Sequence, residues 1–233
     1  MTPFNFSNNF SDNARVAVTL SFDDGTIHDR RLVSVLNDLG LRATWNLNSG
    51  ALDDGDNLRK NEIVELFQGH EIAAHSVTHP HFDRISDNEI RREYLDDRGA
   101  LEAITQAPVR GFAYPFGNYS PRVLRVLDAL PADRKPAYAR TCENTRDIFG
   151  CETRLAWPTS SFQLATDESG QTVWPDEFLH RYESGESFCY HVWGHSREFD
   201  GQWENAQKWF GALSGLPDVY YCTNLELCDA VSS

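Results

Sequence analysis

Hydrophobic and polar positions along this chain switch repeatedly between a strand pattern and a helix pattern. Residues 16–22, Val16-Ala17-Val18-Thr19-Leu20-Ser21-Phe22, form a short run rich in apolar and β-branched residues. It stops at Asp23-Asp24-Gly25 and predicts a buried strand ending in a turn. In residues 27–39, Leu32, Val33, Val35, Leu36 and Leu39 stand at helical spacing, and Gly40 is suited to end the helix. The exchange then repeats. Strands are predicted at 42–47, 71–75, 110–114, 137–141, 187–193 and 219–222, and helices at 62–68, 87–104, 175–182, 203–213 and 225–231. Ser86 and Glu89 make a capping box for the helix at 87–104. Ser120 followed by Pro121 opens a further helix carrying Val123, Leu124, Val126 and Leu127. Residues 49–57 read as a polar loop, and residues 142–173, the least regular part, as another.

Strand and helix alternating in this way predict a parallel sheet with helices outside it, joined by right-handed crossovers. Seven or so strands can close into a barrel or lie open in a doubly wound sheet, and periodicity does not separate the two. Both arrangements put the functional site at the C-terminal ends of the strands.

Composition narrows the class. The 233 residues are 40% hydrophobic and 24% charged, as expected of a globular protein able to bury a core. The net charge of -14 argues against nucleic acid as a partner. No apolar run approaches the roughly 20 residues needed to span a bilayer, so no membrane association is expected. Residues 1–7 lack a charged region followed by an apolar core, so a cytoplasmic location is expected, or one outside the cytoplasm if the sequence is a trimmed form. Cys142, Cys151, Cys189, Cys222 and Cys228 are odd in number and irregular in spacing. They read as small buried hydrophobes in a reducing compartment.

The residues capable of chemistry fall at strand ends. Asp23 and Asp24 end the first strand. Successive strand side chains point to opposite faces, so both carboxylates reach one site only if the strand has ended, and Gly25 allows that turn. His75 and His79, four apart, end the third strand. Two imidazoles with a nearby carboxylate match the ligand preference of a divalent metal that keeps positions open for water and substrate. Arg110 stands in Arg110-Gly111-Phe112-Ala113-Tyr114-Pro115-Phe116-Gly117, where a guanidinium beside a catalytic carboxylate would hold it ionised. Pro115 would fix a turn whose following N–H can meet an oxyanion. His195, in Trp193-Gly194-His195-Ser196, could act as general acid, with His191 as the competing register.

These stretches resemble the polysaccharide deacetylases of the NodB-homology group, carbohydrate esterase family four. Leu20-Ser21-Phe22-Asp23-Asp24-Gly25 is similar to their first motif, His75-Ser76-Val77-Thr78-His79-Pro80 to the second, and Arg110 through Pro115-Phe116-Gly117 to the third. The motifs come in family order over residues 16–222, so the whole chain, 1–233, is expected to be one such domain. The resemblance implies a distorted (β/α) barrel of about seven parallel strands. It implies Asp23 as catalytic base, Asp24, His75 and His79 as ligands of one divalent metal, Arg110 as the residue steadying Asp23, and the Phe116 N–H in the oxyanion hole. His195 matches the late family histidine, with Trp193 where the family has leucine. Tyr114 and Pro115 of the third motif, and Trp157, are expected to contact substrate, and Tyr119 and Trp174 could add stacking on sugar rings. The implied substrate is an N-acetylated glycan or oligosaccharide. Two histidines and a carboxylate suit zinc first, with cobalt, nickel or iron also compatible.

Overall fold

The computed structural model describes residues 14–145, 153–170 and 172–231. Cys151 and residues 1–7 lie outside the described residues.

Strand β1 (Val16–Asp24) is the axis of the architecture. Along one edge it pairs in parallel with β8 (Phe188–Gly194). Along the other it pairs first with β9 (Val219–Cys222), through Val16 to Thr19, and then with β2 (Thr44–Leu47), through Ser21 to Asp24. From β2 the parallel sheet continues through β3 (Glu71–Ala74), β4 (Gly111–Ala113) and β5 (Tyr138–Asn144) to β6 (Trp157–Thr159). A final two-residue strand, β7 (Ser161–Phe162), pairs not with β5 but with β8. Only Ser160 separates β6 from β7, and its N–H donates to the His191 carbonyl of β8 at 2.8 Å. Residues 157–162 therefore act as one broken strand, bound to β5 at its start and to β8 at its end. With that segment counted once, β1, β2, β3, β4, β5, β6/β7 and β8 make a ring of parallel strands, with β9 outside it. This is the distorted (β/α) barrel that the family resemblance implied.

The closing segment lies where the sequence suggested only a polar loop. Three residues and then two, with Pro158 inside, are too few to show a strand period, and proline is a poor ladder donor. The pairing with β5 is also irregular, shifting register between Arg140 and Asn144.

Alternation along β1 separates two environments. Val16, Val18, Leu20 and Phe22 join the core between sheet and helices, where Phe22 meets Trp45 at 5.2 Å and Phe210 at 6.0 Å between ring centroids. The other face carries Ala17, Thr19, Ser21 and Asp23. Inside the ring Thr19 donates to Asn224 (2.6 Å), and the Asn46 amide donates to both Ser21 and Asp23 (2.8 Å each). Small and polar residues thus lead up the barrel interior to one carboxylate.

Helix α1 (Asp29–Asp38) buries Leu32, Val33 and Leu36, and α2 (Ile63–Leu66) is a single turn. The capping box at Ser86 opens α3 (Asp87–Thr105) as anticipated, and Ser120 caps α4 (Pro121–Asp128) by accepting from the Val123 N–H. Helices α5 (Trp174–Glu183), α6 (Trp203–Leu213) and α7 (Asn224–Ala230) complete the outer layer. The buried face of α3 includes Ile90, Tyr94 and Leu101, and also two carboxylates, Glu93 and Asp97.

Candidate active site

At the C-terminal ends of β1, β3 and β8 the barrel opens into a cavity of about 320 Å³ whose wall includes Asp23, Asp24, His75, His79, Phe116 and His195. Backbone strain is concentrated here. Asp24 (φ 82°), Ser76 (φ 70°), His79 (φ 55°) and Phe116 (φ 57°) all adopt the left-handed region that non-glycine residues rarely occupy. At Asp24 this conformation ends the strand alternation, so both adjacent carboxylates reach the cavity. Gly25 follows at φ 74°, and a Cβ there would stand 3.0 Å from Leu47.

Asp23 is buried. Its Oδ1 accepts from the Asn46 amide at 2.8 Å and from the Arg140 guanidinium, which is itself wholly buried on β5. Burial alone would push the carboxyl up. The Arg140 charge and hydrogen bond, with His75 and His195, outweigh it and hold Asp23 well below the ordinary carboxylate range. Asp23 is thus a carboxylate kept ionised in a dry setting.

His75 follows β3 directly. Its Nδ1 lies 2.8 Å from the Ala113 carbonyl, which can only accept, so Nδ1 carries the proton and Nε2 presents a lone pair. That Nε2 lies 3.2 Å from Nε2 of His79, and Asp24 Oδ1 is 3.7 Å from each. Burial lowers the pKa of His75 to about 4 against the opposing pull of Asp23 and Asp24, and lowers that of His79 in the same way. The two imidazoles therefore bring their Nε2 atoms together beside a carboxylate, and the three potential ligand atoms lie within 4.8 Å of one another. This donor set and its convergence fit a divalent cation with open coordination positions.

His195 follows β8 and faces this set from across the cavity. Nδ1 meets Glu198 Oε1 at 3.2 Å, and Nε2 lies 3.8 Å from Asp24 Oδ2. Burial pulls its pKa down, but the Glu198 hydrogen bond and the charges of Asp23, Asp24 and Glu198 prevail and raise it. The buried Gln163, just beyond β7, donates from Nε2 to the His195 carbonyl (2.6 Å) and to Glu198 (2.7 Å). The site thus pairs a carboxylate pushed toward its charged form with a histidine pushed toward its protonated form.

The sequence model of the polysaccharide deacetylase family matches residues 11–134, more than half of the chain. The chain belongs to this family. A chitooligosaccharide deacetylase from Sinorhizobium fredii is 30% identical over 111 residues, covering 46% of this chain and 50% of the relative, so the chain spans about half the length of that protein. A candidate polysaccharide deacetylase from Mycobacterium smegmatis superposes over 100% of this chain and 95% of its own, with a TM-score of 0.77 at 14% identity. A carbohydrate esterase family four pseudoenzyme from Bacillus anthracis superposes over 92% of this chain and 66% of its own, with a TM-score of 0.56 at 19% identity. At these identities the two structures speak for the fold alone. The family match ends before β5, so Arg140 and His195 are placed by the structure rather than by the match.

Within the deacetylase fold several expectations need correction. Arg110 does not reach Asp23. It precedes β4, at the opposite end of the barrel, and its exposed guanidinium pairs with Asp229 at 2.9 and 3.0 Å. Arg140 holds Asp23 instead. A charged residue inside the apolar run Tyr138-Ala139-Arg140 was the available signal, because a buried charge requires a partner. Tyr114 is fully buried and donates its hydroxyl to the Leu155 carbonyl at 2.8 Å, while Pro115 is buried at the start of the one-turn helix over 115–117, so neither faces the cavity. Trp157 is buried edge-on to Tyr138 at 5.2 Å, and Trp193 is the tryptophan in the cavity wall. The Trp193 ring lies over the Arg140 guanidinium at 5.2 Å. Trp174 is wholly buried, with its indole N–H on the Gln163 carbonyl. His191 lies within the barrel interior, its pKa pushed down to about 3 by burial and then by Arg140, and does not line the cavity. Sequence reasoning also passed over Cys142 and Arg197, both in the wall, the latter bonded to Asp24 Oδ2. Cys142 and Cys222 are free thiols.

Proposed function

We propose that the chain is a metal-dependent hydrolase that removes N-acetyl groups from an amino-sugar glycan or oligosaccharide. The observation that carries this reading is the opposed pair Asp23 and His195 flanking the convergent donors of Asp24, His75 and His79. Those three residues would hold the cation, zinc by preference. Such an ion, when bound, polarises an amide carbonyl and lowers the pKa of water. Asp23, ionised by Arg140, takes a proton from the water that attacks the acetyl carbon. The Phe116 N–H, in the one-turn helix beside His79, donates to the oxygen that gains charge as the new C–O bond forms. His195 delivers its proton to the nitrogen as the C–N bond breaks, leaving acetate and a free amine. Phe116 is 55% exposed and stacks on His81 at 4.1 Å, offering an apolar face at the mouth of the cavity.

A pseudoenzyme shares this fold, so catalysis rests on the paired acid and base rather than on the barrel. The test is acetate release from acetylated chitooligosaccharides before chelation, after it, and after return of zinc or cobalt. Release that stops with chelation and resumes with metal supports the proposal. No release in any state, with metal bound stoichiometrically, would point to a small non-sugar amide or to a binding role.

A further inference from the structure

We infer that Asp97 and Glu93, one turn apart on α3, are positioning residues for the metal ligands, fixing the backbone of residues 75–79 so that His75 and His79 converge. The inference rests on the reading of Asp24, His75 and His79 as cation ligands and concerns what holds that set in place.

The ladder of β3 stops at Ala74. Beyond it the chain makes a tight excursion with two left-handed residues, Ser76 and His79. After one last bond from His75 N–H to β2, the buried backbone groups there need partners from outside the sheet. His75 N–H donates to the Leu47 carbonyl (3.0 Å) and to Asp97 Oδ2 (2.9 Å). The carbonyls of His75 and Ser76 accept from the Asn48 amide at 2.5 and 2.9 Å. Thr78 donates its N–H to Glu93 Oε2 (2.8 Å) and its hydroxyl to Glu93 Oε1 (2.9 Å). His79 N–H reaches the Ser76 hydroxyl at 3.1 Å. The remaining oxygen of Asp97 accepts from Ser49 N–H at 2.7 Å, which ties the segment after β2 to the same carboxylate. Both acids stand on the buried face of α3, at positions where an amphipathic helix ordinarily carries apolar residues. Neither lines the cavity. Three of their four carboxylate oxygens accept from the segment bearing the two histidines, and the fourth accepts from Ser49.

The donor chemistry distinguishes the two acids. Asp97 receives two main-chain N–H groups, which can only donate. An asparagine could accept one of them and would set its NH2 group against the other. Glu93 receives one N–H and one hydroxyl. A glutamine could accept the N–H while the Thr78 hydroxyl rotates to accept from the NH2. Asp97→Asn should therefore loosen the site, while Glu93→Gln should preserve it.

The experiment is a cobalt titration of the metal-free 233-residue chain by calorimetry and by the visible absorption of bound cobalt, with thermal unfolding of each metal-free variant alongside. Asp97→Asn and Glu93→Ala are expected to bind cobalt about 10–100-fold more weakly, the usual effect of losing a partner behind a metal ligand. Glu93→Gln should stay within about threefold of wild type by the same comparison. A purely structural role would lower the melting temperature and leave the cobalt affinity and spectrum of the folded protein unchanged. Wild-type affinity in Asp97→Asn, or equal weakness in Glu93→Gln and Glu93→Ala, overturns the inference. If Asp97→Asn does not fold, the two Glu93 variants decide it. A wild-type chain that takes up no cobalt overturns the metal reading itself, a result distinct from wild-type binding that the variants leave untouched.

Discussion

Replacing Arg140 with methionine removes the guanidinium and keeps much of its apolar stem, which isolates what the charge does for Asp23. Both groups are buried, at 0% and 3% side-chain exposure. Breaking such a pair from one side leaves a buried charge and costs about 3–5 kcal/mol. The cost must depend on pH, and its sign follows from the two folded states. In the wild type the carboxyl of Asp23 sits below its ordinary value of 3.8, so its stabilisation is fully present above that value and is lost only in strong acid. In Arg140→Met burial is no longer outweighed, and the folded carboxyl rises above the unfolded one. The variant then loses stability as pH rises, by up to about 1.4 kcal/mol per unit. Urea unfolding of the metal-free proteins at pH 5, 6, 7 and 8 measures it. The gap between wild type and variant should widen across the series. A gap equal at pH 5 and pH 8 would refute the reasoning and reduce Arg140 to a packing residue.

Three further outcomes are expected. Asp23→Asn should lose about 10²–10⁴-fold in kcat on an acetylated chitooligosaccharide while still binding metal, and near-wild-type turnover would remove Asp23 as the base. In the metal-free protein, NMR titration of His195 should give a pKa above the ordinary histidine value, and Glu198→Gln should bring it down; no movement in that variant would mean that Glu198 does not sustain the shift. Arg110→Ala should leave deacetylation unchanged and cost at most about 1 kcal/mol in urea unfolding, since its pair with Asp229 is solvent-exposed; a loss of activity would return Arg110 to the site.

The parts of the site written as consecutive residues were legible in the sequence. Asp23-Asp24-Gly25 and His75 through His79 each combine a strand end with the side chains that act there, so strand periodicity alone brings them to the same rim. Arg140 was not legible in this way. It acts from within β5, and its proximity to Asp23 comes from the curvature of the barrel and not from spacing. Arg110 misled because it borders a strand at the wrong end. The true rim of β4 is the turn at Phe116. Trp157 misled for a related reason, since its strand becomes visible only once β5 and β8 provide ladders for it. The capping box at Ser86 and the bounds of α6 were legible because their determinants are local.

The five-residue span of β6 and β7 that flanks Ser160 has a consequence for how this protein comes apart. Ladder bonds shared with β5 on one side and β8 on the other give each half few amides to protect it, whereas β1 is flanked along both edges. Gln163, just past that span, grips His195 and Glu198, and Gly194 makes room for it, since a Cβ there would fall 2.2 Å from the glutamine side chain. Local opening at the seam thus releases His195 and Glu198 together with the last strand pairing. Amide exchange should run faster at Ser160 and Gln163 than in β1, and on heating turnover should fade while most of the hydrogen-bonded backbone still resists exchange.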